Sequence, residues 1–289
     1  MATILETVVP VFLIILFGFL IGKFKKINVG PLVDLLVYVT VPALIVSSIT
    51  KSSLSAADFF TVALSAAGVI FILGILAFFL FKALKSTARG LYLPLTIGNS
   101  GYLGYPVALL AFGVEGLSRA VVFDVVNSLF LYSIGIWLIH EKKDFRGMFK
   151  IPLLYAVILG IGLNLFQIQI HPVIAKPLEM VGSITIPLAL LVLGYKLTEV
   201  RVKAFLVGMG ASLFRIIGGF LAALLLVSLF SISGVSRNIV LLEAAMPSAV
   251  MTLILCQKYG RDADAVASVV FLSTAISMVS IPLILSVIS

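Results

Sequence analysis

Residues 4–22, "ILETVVPVFLIILFGFLIG", run almost without charge for the length that a helix needs to cross a lipid bilayer. A hydrocarbon layer of about 30 Å takes about 20 helical residues. Runs of this kind recur near 32–50, 58–81, 90–112, 118–139, 151–168, 179–196, 204–230, 238–257 and 264–287, which makes ten with the first. Lipid offers the backbone no hydrogen-bond partner, so runs of this length must be helices. Composition excludes the alternative of a large soluble core. Of 289 residues 62% are hydrophobic and 11% charged, with mean hydropathy +1.26, where a soluble domain carries roughly a quarter charged residues. The chain reads as an all-α membrane protein of ten transmembrane helices.

The loops test that count. Basic residues gather in short cytoplasmic loops. The loops after spans 1, 3, 5, 7 and 9 hold 15 Lys and Arg, and those after spans 2, 4, 6 and 8 hold 4 (Lys51, Arg119, Lys176 and Arg237). The alternation puts the loop "HEKKDFRGMFK" (140–150) in the cytoplasm and both termini outside, in a cell membrane. The first run has no positive segment before it, and its lysines follow it, so it is expected to be a span rather than a cleaved signal. The net charge of +8 belongs to these loops and shows no aromatic interleaving, so no nucleic-acid partner is expected. The single cysteine, Cys256, and the two histidines, His140 and His171, have no metal-type spacing, and no metal or cofactor is expected. Coupling to Na⁺ or H⁺ stays open.

The chain repeats itself. Asp34–Ile45, "DLLVYVTVPALI", matches Glu179–Leu190, "EMVGSITIPLAL", at a constant offset of 145, with Thr40 on Thr185 and Pro42 on Pro187. A looser match sets Pro106 on Pro247 at offset 141 and Gly113 on Gly260 at offset 147, each glycine followed two residues on by an acid, Glu115 or Asp262. The halves, 1–143 and 150–289, hold five spans each, so the second enters the membrane inverted. Inverted repeats are a recurrent architecture of secondary transporters, with the site where the repeats meet.

Within span 4 the stretch "TIGNSGYLGYPVALLAFG" (96–113) places Gly98, Gly101, Gly104 and Pro106 within nine residues. Proline removes a helical hydrogen bond and glycine lets the backbone leave helical geometry. Non-helical backbone at membrane depth survives only inside protein or beside a wet cavity. Span 4 is therefore expected to break, and "EAAMPSA" (243–249) is its counterpart in span 9. Segments starting at such breaks offer free N–H groups that suit an anion. Three ionisable residues lie well inside spans: Asp124, Arg215 and Glu243. Such groups face the bundle interior. Arg215 either attracts an anion or neutralises one of the two acids, and the acids are candidates to carry a proton or to hold Na⁺. Asn127 shares a helix face with Asp124, and Ser273, Thr274 and Ser277 form a polar face in span 10. The "GFLIG" motif at 18–22 serves helix packing or a homodimer.

"GNSGYLGYP" in span 4, "EAAMPSAV" followed by "YG" in span 9, and "VTVPALIVSS" in span 2 resemble the auxin efflux carrier family, which includes plant auxin exporters and bacterial carriers of malonate and malate. The resemblance covers essentially the whole chain. It implies two inverted five-helix repeats with broken crossover helices 4 and 9. It also implies a scaffold of spans 1, 2, 6 and 7, and a transport domain of spans 3–5 and 8–10 that moves as an elevator. The family's span 4 asparagine and proline match Asn99 and Pro106, its span 9 proline matches Pro247, and its span 8 arginine matches Arg215. The fold also resembles that of bile acid–sodium symporters. The plant exporters carry a long loop between spans 5 and 6, whereas this chain has about ten residues there, as in a bacterial or archaeal member.

The expected function is carriage of a small organic anion such as malate, malonate or an auxin-like acid. Asn99, Ser100, Tyr105 and Ser248 would contact it, Gly101, Pro106 and Pro247 would shape the breaks, and Asn127 and Thr274 would line the wall. The alternatives are a membrane channel and a transporter-like sensor. An intramembrane enzyme would need a nucleophile with its base or paired aspartates, and Asp124 has no such partner in a span.

Overall fold

The computed structural model describes residues 4–140 and 152–288, and among these no strand forms beyond one isolated bridge. Helix α1 is Ile4–Phe24. α2 (Gly30–Leu35) runs through a π-helical turn, Leu36–Thr40, into α3 (Val41–Lys51). α4 is Ala56–Ala83, opened by a capping box between Ser55 and Asp58. α5 (Tyr92–Thr96) is short and is followed by a π turn, Ser100–Gly104, that leads into α6 (Tyr105–Phe130). A further π turn, Leu131–Gly135, leads into α7 (Ile136–Ile139). The second half holds α8 (Pro152–Leu165), α9 (Pro172–Ser183), α10 (Thr185–Thr198), α11 (Phe205–Leu229), α12 (Gly234–Ala244), α13 (Val250–Tyr259) and α14 (Ala263–Ile288).

Among the described residues seven helical stretches are long and apolar enough to cross a membrane, and α8 is a shorter apolar helix. The expected spans 4 and 9 are not among the seven as units, because each is cut into short pieces. The end of span 4 also runs straight into span 5. The stretch Ser100–Ile139 is continuous over 40 residues and bends at Gly113, whose φ of 65° and ψ of −158° suit glycine alone. The basic loop expected in the cytoplasm lies outside the described residues from position 141 to 151.

The loops group by face as the charge alternation requires. The Gly90 amide, after α4, donates to Asp262 Oδ2 at 2.8 Å, and Arg261 Nε, between α13 and α14, donates to the Ile139 carbonyl at 3.1 Å. These are loops after spans 3, 9 and 5. The Ser53 amide, after α3, donates to Glu115 Oε1 at 2.7 Å, and Lys51 pairs with Glu179 at 2.8 Å. Arg119 Nη2 lies 3.1 Å from Asp58, which also accepts from Ser236 Oγ at 2.6 Å. These are loops and helix ends near the turns after spans 2, 4, 6 and 8.

The helices sort into two packed groups. α1 lies along α10, and α3 packs on α8 and α9. α4, α6, α11, α12 and α14 pack on one another. The first group explains the "GFLIG" motif. A side chain at Gly18 would strike the Leu191 backbone, one at Gly22 would meet Thr198, and one at Gly194 would strike Ile15. The glycines bring α1 and α10 into backbone contact within one chain, so the motif is used internally.

The offset-145 repeat has a structural counterpart. Pro42 and Pro187 each fall in the first turn of a fresh helical segment, α3 and α10, after an irregular turn. Thr40 and Thr185 just before them are both buried. Gly113 and Gly260 both adopt positive φ, 65° and 64°, where one helix gives way to the next. The match of Pro106 to Pro247 is different. The bridge pairs Gly98 with Ser248, 150 positions apart rather than 141. Pro106 lies at the start of α6, within the helical stretch that already runs from Ser100, while Pro247 lies inside the second break.

Candidate solute-binding site

Two breaks meet at the centre of the second packed group. After α5 the chain turns extended at Ile97 (φ −102°, ψ 117°), and it re-enters a helical turn only after Asn99. After α12 it leaves helical geometry at Ala245 and resumes after Ala249 (φ −68°, ψ 134°). Each break supplies what the other lacks. The Asn99 amide donates to the Pro247 carbonyl at 2.7 Å, and the Ala249 amide donates to the Ile97 carbonyl at 3.1 Å. Backbone that lipid could not satisfy is satisfied by a second break.

Three ionisable side chains surround the crossing. The C-terminal end of α12 carries partial negative charge. Arg215 of α11, buried, donates from Nη1 to the Ala244 carbonyl at that end, at 3.0 Å. Glycines make room for it: a side chain at Gly98 would collide with the guanidinium, and one at Gly219 would overlap the Ala244 carbonyl. Asp124 of α6 accepts from Ser100 Oγ at 2.6 Å and from Tyr105 OH at 2.9 Å. Asn127 Nδ2 donates to Ser100 Oγ at 2.7 Å. Glu243, the penultimate residue of α12, is fully buried with its carboxylate against Gly104. Among the described residues Arg215 makes no ion pair within 4.0 Å with Asp124 or Glu243, although it acts on Glu243 electrostatically. Neither pairing expected for it is a direct contact.

A cavity of about 100 Å³ opens beside the first break. Gly98, Asn99, Gly101, Tyr102 and Tyr105 form one wall, with Asp124, Asn127, Ser128 and Tyr132 extending it along α6 and its π turn. Ala249 and Met251 close one side, and Val37, Val41, Leu153, Thr185 and Ala189 of the first packed group form the opposite wall. Three polar atoms on these walls are buried with no hydrogen-bond partner in the protein: Asn99 Nδ2, Tyr102 OH and Thr185 Oγ1. Buried polar groups are normally paired, and each exception asks for an explanation. All three belong to residues that line this cavity.

Of the residues singled out from sequence, Asn99, Gly101, Tyr105, Asp124 and Asn127 line this cavity. Ser100 lies just behind it, bonded to Asp124 and Asn127. Ser248, Pro247, Thr274 and Pro106 do not line it. Ser248 is fully buried, donating from Oγ to the Pro94 carbonyl at 2.7 Å, while its amide donates to Ser273 Oγ at 3.1 Å. Thr274 Oγ1 donates to the Val270 carbonyl of its own helix at 2.8 Å. Arg215 and Glu243 stand one layer back, behind Gly98 and Gly104. Tyr102, Tyr132, Thr185 and Met251 were not anticipated as wall residues. Tyr132 follows Asp124 and Ser128 at helical spacing, and Thr185 is the repeat partner of Thr40, so periodicity and repeat held the signal.

The profile of the family described as Membrane transport protein matches the chain twice, over residues 3–146 and 141–285. An uncharacterized transporter of Methanocaldococcus jannaschii is 32% identical over 298 residues, covering 96% of this chain and 97% of that protein. An uncharacterized transporter of Methanothermobacter thermautotrophicus is 29% identical over 308 residues, covering 96% of each.

Proposed function

For a chain that belongs to the membrane transport protein family, we propose carriage of a small organic carboxylate by alternating access, with its binding site at the cavity beside the first break. The observation that carries this reading is Asn99 Nδ2, a buried donor with no protein partner, on a residue that lines the cavity. Tyr102 OH and Thr185 Oγ1 add two more donors from the two sides, and a carboxylate accepts several. Arg215 behind Gly98 supplies positive potential without touching the solute.

The two matches to one family profile support reading the chain as two five-span repeats, inverted, with ten spans and the breaks as crossover segments. The basic loops would then face the cytoplasm and both termini the outside. The cavity's position between two packed groups supports an elevator movement, in which α4–α7 and α11–α14 slide past α1–α3 and α8–α10. The wall contributed by Thr185 and Ala189 would be exchanged as the first wall moves.

The test is charge movement in liposomes on solid-supported membranes, with pulses of mono- and dicarboxylates, indole acetate and amino acids. Saturable currents for one carboxylate class, reduced about tenfold in Asn99→Ala, are the expected result. Currents that do not saturate, or that Asn99→Ala leaves unchanged, would refute a carrier with this site.

A further inference from the structure

We propose that Glu243 is a proton-binding site that takes up and releases one proton in each transport cycle, an inference that rests on the carrier reading for its coupling but not for the site itself. The carboxyl group is fully buried in α12, and neither Oε1 nor Oε2 has a hydrogen-bond partner. An ionised carboxylate in such a place is strongly disfavoured even beside a countercharge, because no donor replaces the lost water. A neutral acid avoids that cost.

The seat is built for a carboxyl group. Gly104 lies directly against it, and any side chain at that position would overlap its oxygens. The same chain turn holds Tyr105, whose hydroxyl donates to Asp124 on the cavity wall. The groups that face Glu243 are few. From the first break and α6 come Tyr105 and Asp124, and from α11 comes Arg215. α4 and α14, which also pack on α12, carry no ionisable residue between Asp58 and Lys82 or after Asp264. Two carboxyl groups therefore share one permanent cation that is bonded elsewhere, to the Ala244 carbonyl. With both acids ionised the enclosed cluster carries one uncompensated negative charge, next to the cavity assigned to an anion. One proton on Glu243 removes it.

In the cycle, a proton from the water reaching the cavity binds the Glu243 carboxylate to give the neutral acid, the anionic solute enters, and both leave on the other side. Release regenerates the carboxylate, which Arg215 stabilises while the site is open to water. Solute and proton cross together, so a dicarboxylate dianion carries one net negative charge across instead of two.

Two measurements on the full chain in liposomes test this. The first is infrared spectroscopy across pH, which sees a protonated carboxyl group directly and needs no solute. Wild type should show such a band at neutral pH, Glu243→Gln should lose it, and Asp124→Asn should keep it. An unchanged spectrum in Glu243→Gln would overturn the proton site. The second is uptake of radiolabelled malonate and malate with and without an inward proton gradient. Each protein is scored by the ratio of the two rates. Wild type should be accelerated by the gradient, and Glu243→Gln should lose the acceleration whatever rate remains. Equal acceleration in both proteins would overturn the coupling. Absence of any saturable carboxylate uptake by wild type, with the infrared band present, would sink the carrier reading and leave the proton site standing.

Discussion

The two breaks are the same device used in two ways. Each interrupts a span, and each lends the other a backbone hydrogen bond. The first break is unfinished: Asn99 keeps an unpaired amide, and Gly98, Asn99 and Gly101 border a cavity. The second is sealed, with the Ser248 hydroxyl and amide both bonded inside the protein and Ala245 and Met246 fully buried. A repeated architecture need not repeat its chemistry. One copy has its polar groups bonded inside the protein while the other leaves the Asn99 side-chain nitrogen without a partner.

Glycines on the two sides of the crossing should break it unequally. A side chain at Gly219 meets the Ala244 backbone carbonyl, which cannot step aside, whereas one at Gly98 meets the end of the Arg215 side chain. Gly219→Ala should cost about 3 kcal/mol, the upper end for overpacking, and Gly98→Ala less. Thermal unfolding in detergent measures both, and equal midpoints would contradict the difference.

The outer ends of the halves differ in the same sense. Arg119 is held by Asp58, Glu115 and Ser236 with its side chain 8% exposed, whereas Lys203 pairs with Asp264 in the open, at 58% and 69% exposure. Arg119→Ala should cost about 2 kcal/mol, because it removes a nearly buried cation paired with both Asp58 and Glu115. Lys203→Ala should cost under about 1 kcal/mol and less still in high salt. Unfolding midpoints at two salt concentrations check this.

At the crossing itself the effects should separate. Asn99→Ala should slow carboxylate uptake by about tenfold, one charge-assisted hydrogen bond's worth, and leave the unfolding midpoint unchanged, since the amide has no protein partner to lose. Ser248→Ala should lower stability by about 1–2 kcal/mol by orphaning the Pro94 carbonyl, with KM unchanged. The smallest pair is Gly113→Ala against Gly260→Ala. Gly113 has ψ −158° and Gly260 ψ 36°, so the first should cost about 2 kcal/mol and the second about 1 kcal/mol.

Much of this was legible in the sequence because lipid is a severe solvent. Apolar run length foretold an all-helical membrane chain, though not the cutting of spans 4 and 9, and the basic loops foretold which turns share a face, as the contacts of Gly90 with Asp262 and of Ser53 with Glu115 bear out. The glycines of 98–104 foretold a break in span 4, and the offset-145 repeat foretold the matched turns before Pro42 and Pro187. The register of the crossing was not legible. A proline is equally at home in a break and in the first turn of a helix, so matching Pro106 to Pro247 misplaced it by nine positions relative to Gly98 and Ser248. The fate of single polar groups was hidden too. Whether a serine or threonine faces a cavity or its own helix carbonyl is a rotamer choice, and Thr274 and Thr185 took opposite ones. The surroundings of Arg215 depend on room left by Gly98, from a distant segment, as well as by Gly219 one turn along its own helix, and no local pattern records the first.

The single cysteine is buried, so Cys256→Ser gives a background in which one thiol can be placed at will. In that background Asn99→Cys and Ser248→Cys can be labelled with a membrane-impermeant thiol reagent from either side of sealed, oriented vesicles. The account predicts that the thiol at position 99 reacts from both sides, that malonate slows it, and that the thiol at 248 reacts from neither. Reaction at 99 from one side only would contradict alternating access at this cavity, and equal reaction at 248 would contradict the distinction between the open break and the sealed one.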